Sequence, residues 1–226
     1  MMNCGIAIFV KTPALSPVKT RLWPGIGRRC AEALYLLSAE AVASVAQQAS
    51  GVQPYWAVAE TAALHSDAWL DLPHLSQGEG SLGERMAHVY RQLRKRHHAA
   101  LLVGADAPQI IAASLRKAAE WLSCVDSRMV LGRADDGGFW LFGGNSPLPD
   151  RAWTKVRYSA PDTAMEFTHS MRDGGRWLEL EPLRDIDTAD DIPFAVASLA
   201  AIDAPTAAQV RLLQWLTSST PPEPCA

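Results

Sequence analysis

Short apolar runs alternate along this chain with longer segments in which apolar residues recur at helical spacing. An uninterrupted apolar run of six to eight residues is typical of a strand buried on both faces. Strands that alternate with helices predict a three-layer α/β/α domain with a mostly parallel central sheet. The predicted strands are 4–10, 54–59, 99–106, 127–133 and 139–144, and the predicted helices are 28–48, 61–71, 81–96 and 110–122.

Loops and helix starts are also marked in the sequence. Segment 11–27 holds three prolines and two glycines, which predicts a long structured loop. A Ser or Thr followed three residues later by an acidic residue predicts a capping box. Such pairs occur at 81–84, 159–162 and 188–191. We expect one domain over 1–216 and a frayed tail over 217–226.

Composition narrows the class of protein. The chain has 226 residues, 48% hydrophobic and 20% charged, which is ordinary globular composition. Lys and Arg number 21 against 24 Asp and Glu, so there is no basic excess and no nucleic-acid partner is expected. No apolar run approaches the roughly 20 residues of a membrane span. The first residues lack a basic leader, and the four cysteines are widely scattered, which favours a cytoplasmic protein with reduced thiols.

Polar clusters follow several of the predicted strands, and ligands of parallel sheets bind beyond the carboxyl ends of strands. The first cluster comprises Lys11, Lys19 and Arg21, in the proline-rich loop after the first strand. Fixed cations and backbone N–H groups beside a helix start are suited to phosphate. The alternative is that these side chains are simply solvated.

The second cluster is Gly104 to Pro108, where Asp106 ends an apolar strand before a proline turn. Mg²⁺ prefers one or two protein carboxylates and completes its shell with water and phosphate. The alternative is an aspartate that only caps the next helix. In the acidic segment 185–191, Thr188 and Asp191 suit a cap, which leaves Asp187 available for chemistry.

The third cluster is Asp135-Asp136-Gly137-Gly138. Adjacent carboxylates repel and must be hydrated, bound to metal or hydrogen-bonded. Glycine lets the backbone turn sharply or approach a ligand closely. A plain hairpin turn would use the same residues, because Asp-Gly is a strong hairpin signal.

Other common motifs are missing from the sequence. Gly25 to Cys30 lacks the third glycine of a dinucleotide fingerprint and lies far beyond the first strand. No glycine precedes a lysine, which excludes a Walker loop, and no Gly-x-Ser-x-Gly elbow occurs.

Taken together, the clusters resemble a group of small bacterial transferases with the nucleotide-diphospho-sugar transferase (GT-A) fold. These are selenodomain-associated or arsenosugar-biosynthesis-type glycosyltransferases, with phospholactate and molybdenum-cofactor guanylyltransferases as distant relatives. The resemblance covers about residues 4–195. The chain departs from the family pattern at Ser16, usually Gly, and at Phe139, usually Tyr. The matching motifs are Lys11-x-Pro13, 18–22 (Val-Lys-Thr-Arg-Leu), Gln77 with 82–86 (Leu-Gly-Glu-Arg-Met), 104–108 (Gly-x-Asp-x-Pro), 135–139 (Asp-Asp-Gly-Gly-Phe) and 185–191 (Asp-x-Asp-Thr-x-x-Asp).

The resemblance implies roles for these residues. Asp106 would hold a divalent metal, Mg²⁺ or Mn²⁺, with Asp187 as a second ligand. Lys11, Lys19 and Arg21 would bind phosphate and stabilise the leaving group, with Gly104 against the nucleotide. Metal and cations would supply most of the catalysis, because negative charge develops on the departing phosphate oxygen.

Two transferase reactions share this machinery. One moves a sugar from a nucleotide sugar to a hydroxyl acceptor, and the other moves a nucleotide from a nucleoside triphosphate to a phosphorylated acceptor. If Asp135, Asp136, Gly137 and Gly138 face a small-molecule acceptor, the two carboxylates favour a neutral hydroxyl, with Asp136 as the base. Glycosyl transfer is therefore the preferred hypothesis. A non-catalytic nucleotide-binding module is a third alternative.

Overall fold

A seven-stranded mixed sheet with helices on both faces forms the body of the protein. The computed structural model describes residues 4–218. Across the sheet the strand order is β3-β2-β1-β4-β6-β5-β7. The strands are β1 (Cys4–Val10), β2 (Val52–Val58), β3 (His74–Ser76), β4 (Ala99–Gly104), β5 (Arg128–Ala134), β6 (Phe139–Gly144) and β7 (Arg176–Leu183), and the helices are α1 (Trp23–Ile26), α2 (Arg28–Gln48), α3 (Leu82–Arg94), α4 (Ala112–Leu122), α5 (Asp150–Thr154), α6 (Thr163–Ser170), α7 (Ile192–Ala200) and α8 (Ala207–Thr217).

Strand directions bring most strand ends to one side of the sheet. Strands β3, β2, β1 and β4 pair in parallel. Strand β6 is antiparallel to both β4 and β5, and β7 is parallel to β5. Because β6 runs opposite to its two neighbours, β5 and β7 point the same way as β4. Six strands therefore end along one side, which we call the carboxyl edge, and the predicted mostly parallel α/β/α fold is confirmed.

Helices cover both faces of the sheet with separate apolar cores. On one face, α2 and α4 pack over the strands, with Leu115 and Leu122 fully buried. On the other face lie α3, α5 and α6, whose aromatic centre includes Trp153, Phe142 and Phe167. A third, smaller cluster joins α2, α7 and α8, so the last two helices are tied to the first layer.

Two of the three predicted capping boxes are confirmed. The Ser81 hydroxyl accepts from the Glu84 backbone N–H, and the Glu84 carboxylate accepts from the Ser81 N–H. Thr188 and Asp191 form the equivalent pair before α7. Each box satisfies N–H groups that the first helical turn leaves without partners.

The third predicted box, at 159–162, is wrong. Ser159 has a φ of 58°, which is left-handed, and α6 begins after Asp162 with no side-chain cap. The Asp162 carboxylate pairs with the Arg157 guanidinium instead. Ser159 is therefore not the N-cap of α6, because the helix begins three residues later than the predicted box requires.

Other boundaries also differ from the prediction. The segment predicted as a helix over 61–71 forms two 3₁₀ turns, Thr61–Ala63 and Asp67–Trp69. A helix that short is costly to nucleate. The predicted loop 11–27 contains the single helical turn α1. The sequence analysis missed β3, which has three residues, and β7, whose exposed and half-buried residues lack a continuous apolar run.

The end of the chain was predicted as a frayed tail over 217–226. Thr217 is the last residue of α8, and 219–226 lie outside the described residues. In the described part of the chain, no helix combines the length and apolar character needed to cross a bilayer.

Candidate functional site

The predicted site residues lie along the carboxyl edge. Lys11 directly follows β1, Asp106 comes two residues after β4, and Asp187 comes four residues after β7. Segment 135–138 joins β5 to β6 at the same edge. The Ile186 N–H donates to the Asp106 carbonyl at 3.1 Å, which joins the loops after β4 and β7 directly.

Lys19 is the centre of the site. Its Nζ lies 2.7 Å from Asp187 Oδ1 and 3.2 Å from Asp106 Oδ2. The Lys19 side chain is only 10% exposed, whereas each carboxylate is about a third exposed. Arg21 is 72% exposed and reaches Asp187 Oδ2 at 3.7 Å. One ammonium thus bridges the two carboxylates that the sequence assigned to metal.

Buried neighbours hold Lys19 in place. Val18 and Leu22 are buried, and the Trp23 indole N–H donates to the Val18 carbonyl at 3.1 Å. Between these anchors Lys19 has a φ of 47°, in the left-handed region that costs a non-glycine residue of order 1–3 kcal/mol. The loop conformation therefore directs this one side chain inward at a cost to stability.

Charge fixes the protonation of Lys19. Burial alone would lower its pKa, but the charges and hydrogen bonds of Asp106 and Asp187 outweigh burial, and the pKa is raised. The ammonium is consequently charged throughout the neutral range.

Asp185 is a member of the site that the sequence analysis did not single out. The pKa of Asp185 is raised to about 8, mainly by burial and further by the negative charges of Asp106, Asp136 and Asp187. The positive charge of Lys19 opposes this shift. Its Oδ1 is buried and has no hydrogen-bond partner in the described residues. The signal was present in the Asp-x-Asp pattern at 185–187, in which only the second aspartate was assigned to chemistry.

The Thr188–Asp191 cap orients the loop that carries Asp187. Asp191 Oδ2 accepts from the Asp187 N–H at 3.0 Å and from the Thr188 N–H at 2.7 Å. Arg184 donates to Asp191 Oδ1 at 2.8 Å. Burial would raise the pKa of Asp191, but these donors lower it overall. Asp191 therefore has the capping role that the sequence predicted.

Segment 135–138 is a hairpin turn that also lies at the site. The Ala134 N–H donates to the Gly138 carbonyl at 3.0 Å, and the Gly138 N–H donates to Asp136 Oδ1 at 2.8 Å. Asp135 and Asp136 are exposed, and the charge of Asp136 acts on Asp185. Both interpretations of this motif thus hold in geometry: it is a turn, and it places carboxylates at the carboxyl edge.

At two positions of the predicted site, steric contacts explain why the residue is glycine. Gly137 has a φ of 89°, and a Cβ there would lie 1.9 Å from the Pro161 carbonyl oxygen. A Cβ on Gly104 would lie 2.5 Å from Asp106 Oδ1, so Gly104 leaves room for that carboxylate. Lys11 remains exposed, and its backbone N–H donates to the Tyr35 hydroxyl at 2.8 Å.

A second group of polar residues lies beside Lys11, at the ends of β1, β2 and β3. Gln77 is only 4% exposed, and its Nε2 donates to the carbonyls of Ala57 at 2.8 Å and Val10 at 3.2 Å. Glu60 Oε2 accepts from the Thr12 N–H at 2.9 Å, while Glu60 Oε1 is buried without a partner. The sequence analysis used Gln77 only as part of a motif and did not use Glu60.

The donor set fits a hard divalent cation. Asp106 and Asp187 converge on one point, and that point is held by a cation, the Lys19 ammonium. Between residues 4 and 218, no group of three His, Cys, Asp or Glu side chains forms a closed metal cage. Two carboxylates without a third ligand suit Mg²⁺ or Mn²⁺ whose remaining ligands are phosphate and water.

Solved structures share this fold. A protein from Desulfovibrio desulfuricans G20, provisionally named a nucleotide-diphospho-sugar transferase, has a TM-score of 0.81 at 23% identity, with 95% of each chain covered. A nucleotidyl transferase from Methanothermobacter thermautotroptrophicus has a TM-score of 0.55 at 15% identity, covering 89% of this chain and 99% of the other. A 4-diphosphocytidyl-2C-methyl-D-erythritol synthase from Anaerococcus prevotii DSM 20548 has a TM-score of 0.54 at 12% identity, with 88% and 96% covered. At these identities the likeness establishes the nucleotide-diphospho-sugar transferase fold.

Sequence comparison gives the family. No curated protein matches the chain. A family model matches residues 39–160, more than half of the chain, including Gln77, Asp106 and the turn 135–138 but neither Lys19 nor Asp187. The chain therefore belongs to the family described as "Uncharacterized protein conserved in bacteria (DUF2064)".

Proposed function

We propose that the protein is a metal-dependent transferase that uses a nucleotide-activated donor, and that it moves a sugar from a nucleotide diphosphate to a hydroxyl acceptor. The observation that carries this proposal is the buried Lys19 ammonium between Asp106 and Asp187. A buried cation held by two carboxylates at the carboxyl edge lies where ligands of such sheets bind. The solved structures of the same fold include proteins named for nucleotide and sugar transfer.

The charge of the site supports a requirement for metal. The charges of Asp106, Asp136 and Asp187 all act on Asp185, and Lys19 is the buried cation among these residues. A diphosphate entering this group unaccompanied would meet like charge. A divalent cation on Asp106 and Asp187 would reverse that sign and act as a Lewis acid toward the phosphate oxygens.

Lys19, Lys11 and Arg21 would then bind the phosphates. Arg21 is exposed and Lys11 carries its side chain into solvent, so both can reach a ligand without breaking a buried contact. Lys19 would shift from the carboxylates to a phosphate oxygen, where its charge opposes the negative charge of the leaving group. Gly104, which has no Cβ, would leave room for the Asp106 carboxylate.

Asp136 would act as the base on the acceptor side. Its Oδ1 is held by the Gly138 N–H, and the turn around it is fixed by Gly137. In the transfer, Asp136 takes the proton of the acceptor hydroxyl and the hydroxyl oxygen bonds to the anomeric carbon. The bond from that carbon to the phosphate oxygen breaks, and the electron pair leaves with the nucleoside diphosphate. Asp135 adds negative charge that disfavours a phosphorylated acceptor.

Nucleotidyl transfer is the second candidate, favoured by the names of two structures with this fold. The same cations would then bind a triphosphate, and pyrophosphate would leave. A phosphorylated acceptor needs no base, so Asp136 would be dispensable for that reaction.

The test is a turnover assay with two arms. Nucleotide sugars are incubated with a panel of hydroxyl acceptors, and nucleoside triphosphates with phosphorylated acceptors, each with Mg²⁺, Mn²⁺ or EDTA. We expect metal-dependent release of nucleoside diphosphate in the first arm and its loss in Asp106→Asn, while the exposed control Asp203→Asn keeps it. Pyrophosphate release in the second arm would establish nucleotidyl transfer instead, and no metal-dependent turnover or hydrolysis in either arm would refute the enzyme proposal.

A further inference from the structure

We propose that Gln77 determines which nucleobase this protein accepts, by presenting a fixed hydrogen-bond acceptor that favours an amino group on the base. The inference rests on the proposed function, because it assumes that the site holds a nucleotide. It adds a preference for bases that carry an amino group, namely guanine, adenine and cytosine, over uracil.

The orientation of the Gln77 amide is fixed by its partners. Its nitrogen contacts two backbone carbonyl oxygens, those of Val10 and Ala57, and a carbonyl oxygen can only accept. The NH₂ group must therefore face these carbonyls, and the side-chain oxygen must face away from them. An amide flip would put three acceptors together and is excluded by the same contacts.

The side-chain oxygen of Gln77 is left free. Among residues 4–218 it accepts no hydrogen bond, and it is not one of the buried atoms that lack a partner. The residue as a whole is 96% buried, since its exposure is 4%. A rigid, almost fully buried amide thus offers one acceptor at the surface of the carboxyl edge.

This acceptor lies near the residues that would bind phosphate. Val10, which accepts from Gln77, directly precedes Lys11. Strand β1 separates β2 from β4, the strand that leads to Asp106. Neighbouring strands lie about 5 Å apart, and the Gln77 amide contacts the ends of β1 and β2, so it lies near the loop after β4. A nucleotide with its phosphates at Lys19 and Asp106 can extend its base to this acceptor.

The oxygens beside the Gln77 amide are also hydrogen-bond acceptors. Val10 O receives the Ala59 N–H as well as Gln77 Nε2, and Glu60 follows directly. Glu60 Oε1 is also buried and has no hydrogen-bond partner in the described residues. Cytosine, adenine and guanine each carry an exocyclic amino group, whereas the ring N–H of uracil is flanked by carbonyl oxygens that would face this acceptor-rich group.

Gln209 provides a matched comparison within the same chain. It is also buried, and its Nε2 also donates to two backbone carbonyls, those of Pro108 and Ile110. Its Oε1, however, accepts from the Thr206 N–H at 2.9 Å, so every polar atom has a partner. Gln209 shows what a purely structural glutamine looks like in this fold, and Gln77 differs from it by the free oxygen.

The experiment measures binding by calorimetry in Mg²⁺ for GDP, ADP, CDP, UDP and the base-less ribose 5-diphosphate. We expect at least one amino-bearing diphosphate to bind about tenfold more tightly than UDP, because an acceptor left without its donor costs about that much. Gln77→Met should remove this discrimination and leave ribose 5-diphosphate within twofold. Gln209→Met should lower the melting temperature comparably but keep the discrimination.

A second arm leaves the protein unchanged, in case Gln77→Met does not fold. The preferred diphosphate is compared with its deamino analogue, for example IDP against GDP, and we expect about a tenfold loss. Equal binding of UDP, an unaffected deamino analogue, or discrimination that survives Gln77→Met would overturn the inference. Failure of the proposed function is a different result: ribose 5-diphosphate and all four nucleotides would then bind no better than phosphate-free nucleosides.

Discussion

Lys19→Met tests the centre of the site, because it removes one charge and keeps much of the side-chain length. In the native protein the Lys19 side chain is 10% exposed, and its ammonium contacts both Asp106 and Asp187. The variant leaves these carboxylates facing each other, with only the exposed Arg21 guanidinium beside Asp187. Two consequences follow, one for the stability of the free protein and one for its response to metal.

The stability cost can be bounded from the burial of the three groups. Removing one partner of a fully buried pair costs about 3–5 kcal/mol, and an exposed pair is worth about 0–1 kcal/mol. The ammonium is buried but each carboxylate is a third exposed, so we expect about 2 kcal/mol between these limits. For a chain of this size that corresponds to a fall of roughly 4–8 °C in melting temperature.

Divalent cations should partly replace the missing ammonium. We expect Mg²⁺ or Mn²⁺ alone to raise the melting temperature of Lys19→Met more than that of the native protein, because the point between Asp106 and Asp187 then lacks its resident cation. The measurement is thermal unfolding by circular dichroism across a metal titration. Lys117→Met is the matched control, since Lys117 is an exposed lysine on α4.

Affinity for a diphosphate should change as well. Hydrogen bonds to charged groups contribute about 1.5–3 kcal/mol, so Lys19→Met should bind a nucleoside diphosphate at least tenfold more weakly in saturating Mg²⁺. An unchanged melting temperature together with an unchanged response to metal would refute the argument that Lys19 holds two carboxylates at a cation site. Loss of stability with full diphosphate affinity would make Lys19 structural only.

Three further predictions follow from the site. Asp136→Asn should lower the turnover rate by about 10²–10⁴-fold in stopped assays while donor affinity stays constant, and a collapse of donor affinity would instead make Asp136 a donor or metal ligand. The raised pKa of Asp185, about 8 against an ordinary 3.8, means that folding favours its protonated form, so its contribution is complete below pH 4 and lost as pH rises toward 8; Asp185→Asn should flatten this slope in urea unfolding with EDTA, and an unchanged slope would contradict it. Gly137→Ala should destabilise the protein by more than about 2 kcal/mol, because it adds left-handed strain to a 1.9 Å clash, whereas Gly138→Ala, whose Cβ would meet only Asp136 Oδ1 at 3.0 Å, should cost less in the same measurement.

The sequence predicted which polar residues lie together at the carboxyl edge, because the fold follows from the spacing of apolar residues and the order of the elements. Apolar runs marked β1, β4 and β5, and the parallel arrangement brings the residues after such strands together. Lys19 and Asp106 were selected on that basis, and Asp187 because Thr188 and Asp191 suited a cap. The structure brings Lys19 into contact with both carboxylates. The β5–β6 hairpin was also foreseen as an alternative, and it does not exclude the functional interpretation of Asp136.

Side-chain partners could not be read from the same patterns. The capping box at 159–162 fails because Ser159 is left-handed and α6 begins only at Thr163, which local spacing does not reveal. Strand β7 was missed because its residues are largely exposed, and β3 because it is only three residues long. The free oxygen of Gln77 is a property of three strand ends at once, so no window along the chain contains it.

Among residues 4–218, the buried side-chain atoms without a hydrogen-bond partner differ between the two edges of the sheet. At the carboxyl edge they are side-chain oxygens, on Glu60, Gln109, Asp162 and Asp185. At the opposite edge they include the Nε donors of Arg94 and Arg128. Leaving buried acceptors unsatisfied costs stability, and the left-handed Lys19 adds to that cost at the same place. A ligand that brings positive charge and N–H donors to the carboxyl edge would relieve these costs together, which is what a metal-bound nucleotide with an amino-bearing base provides.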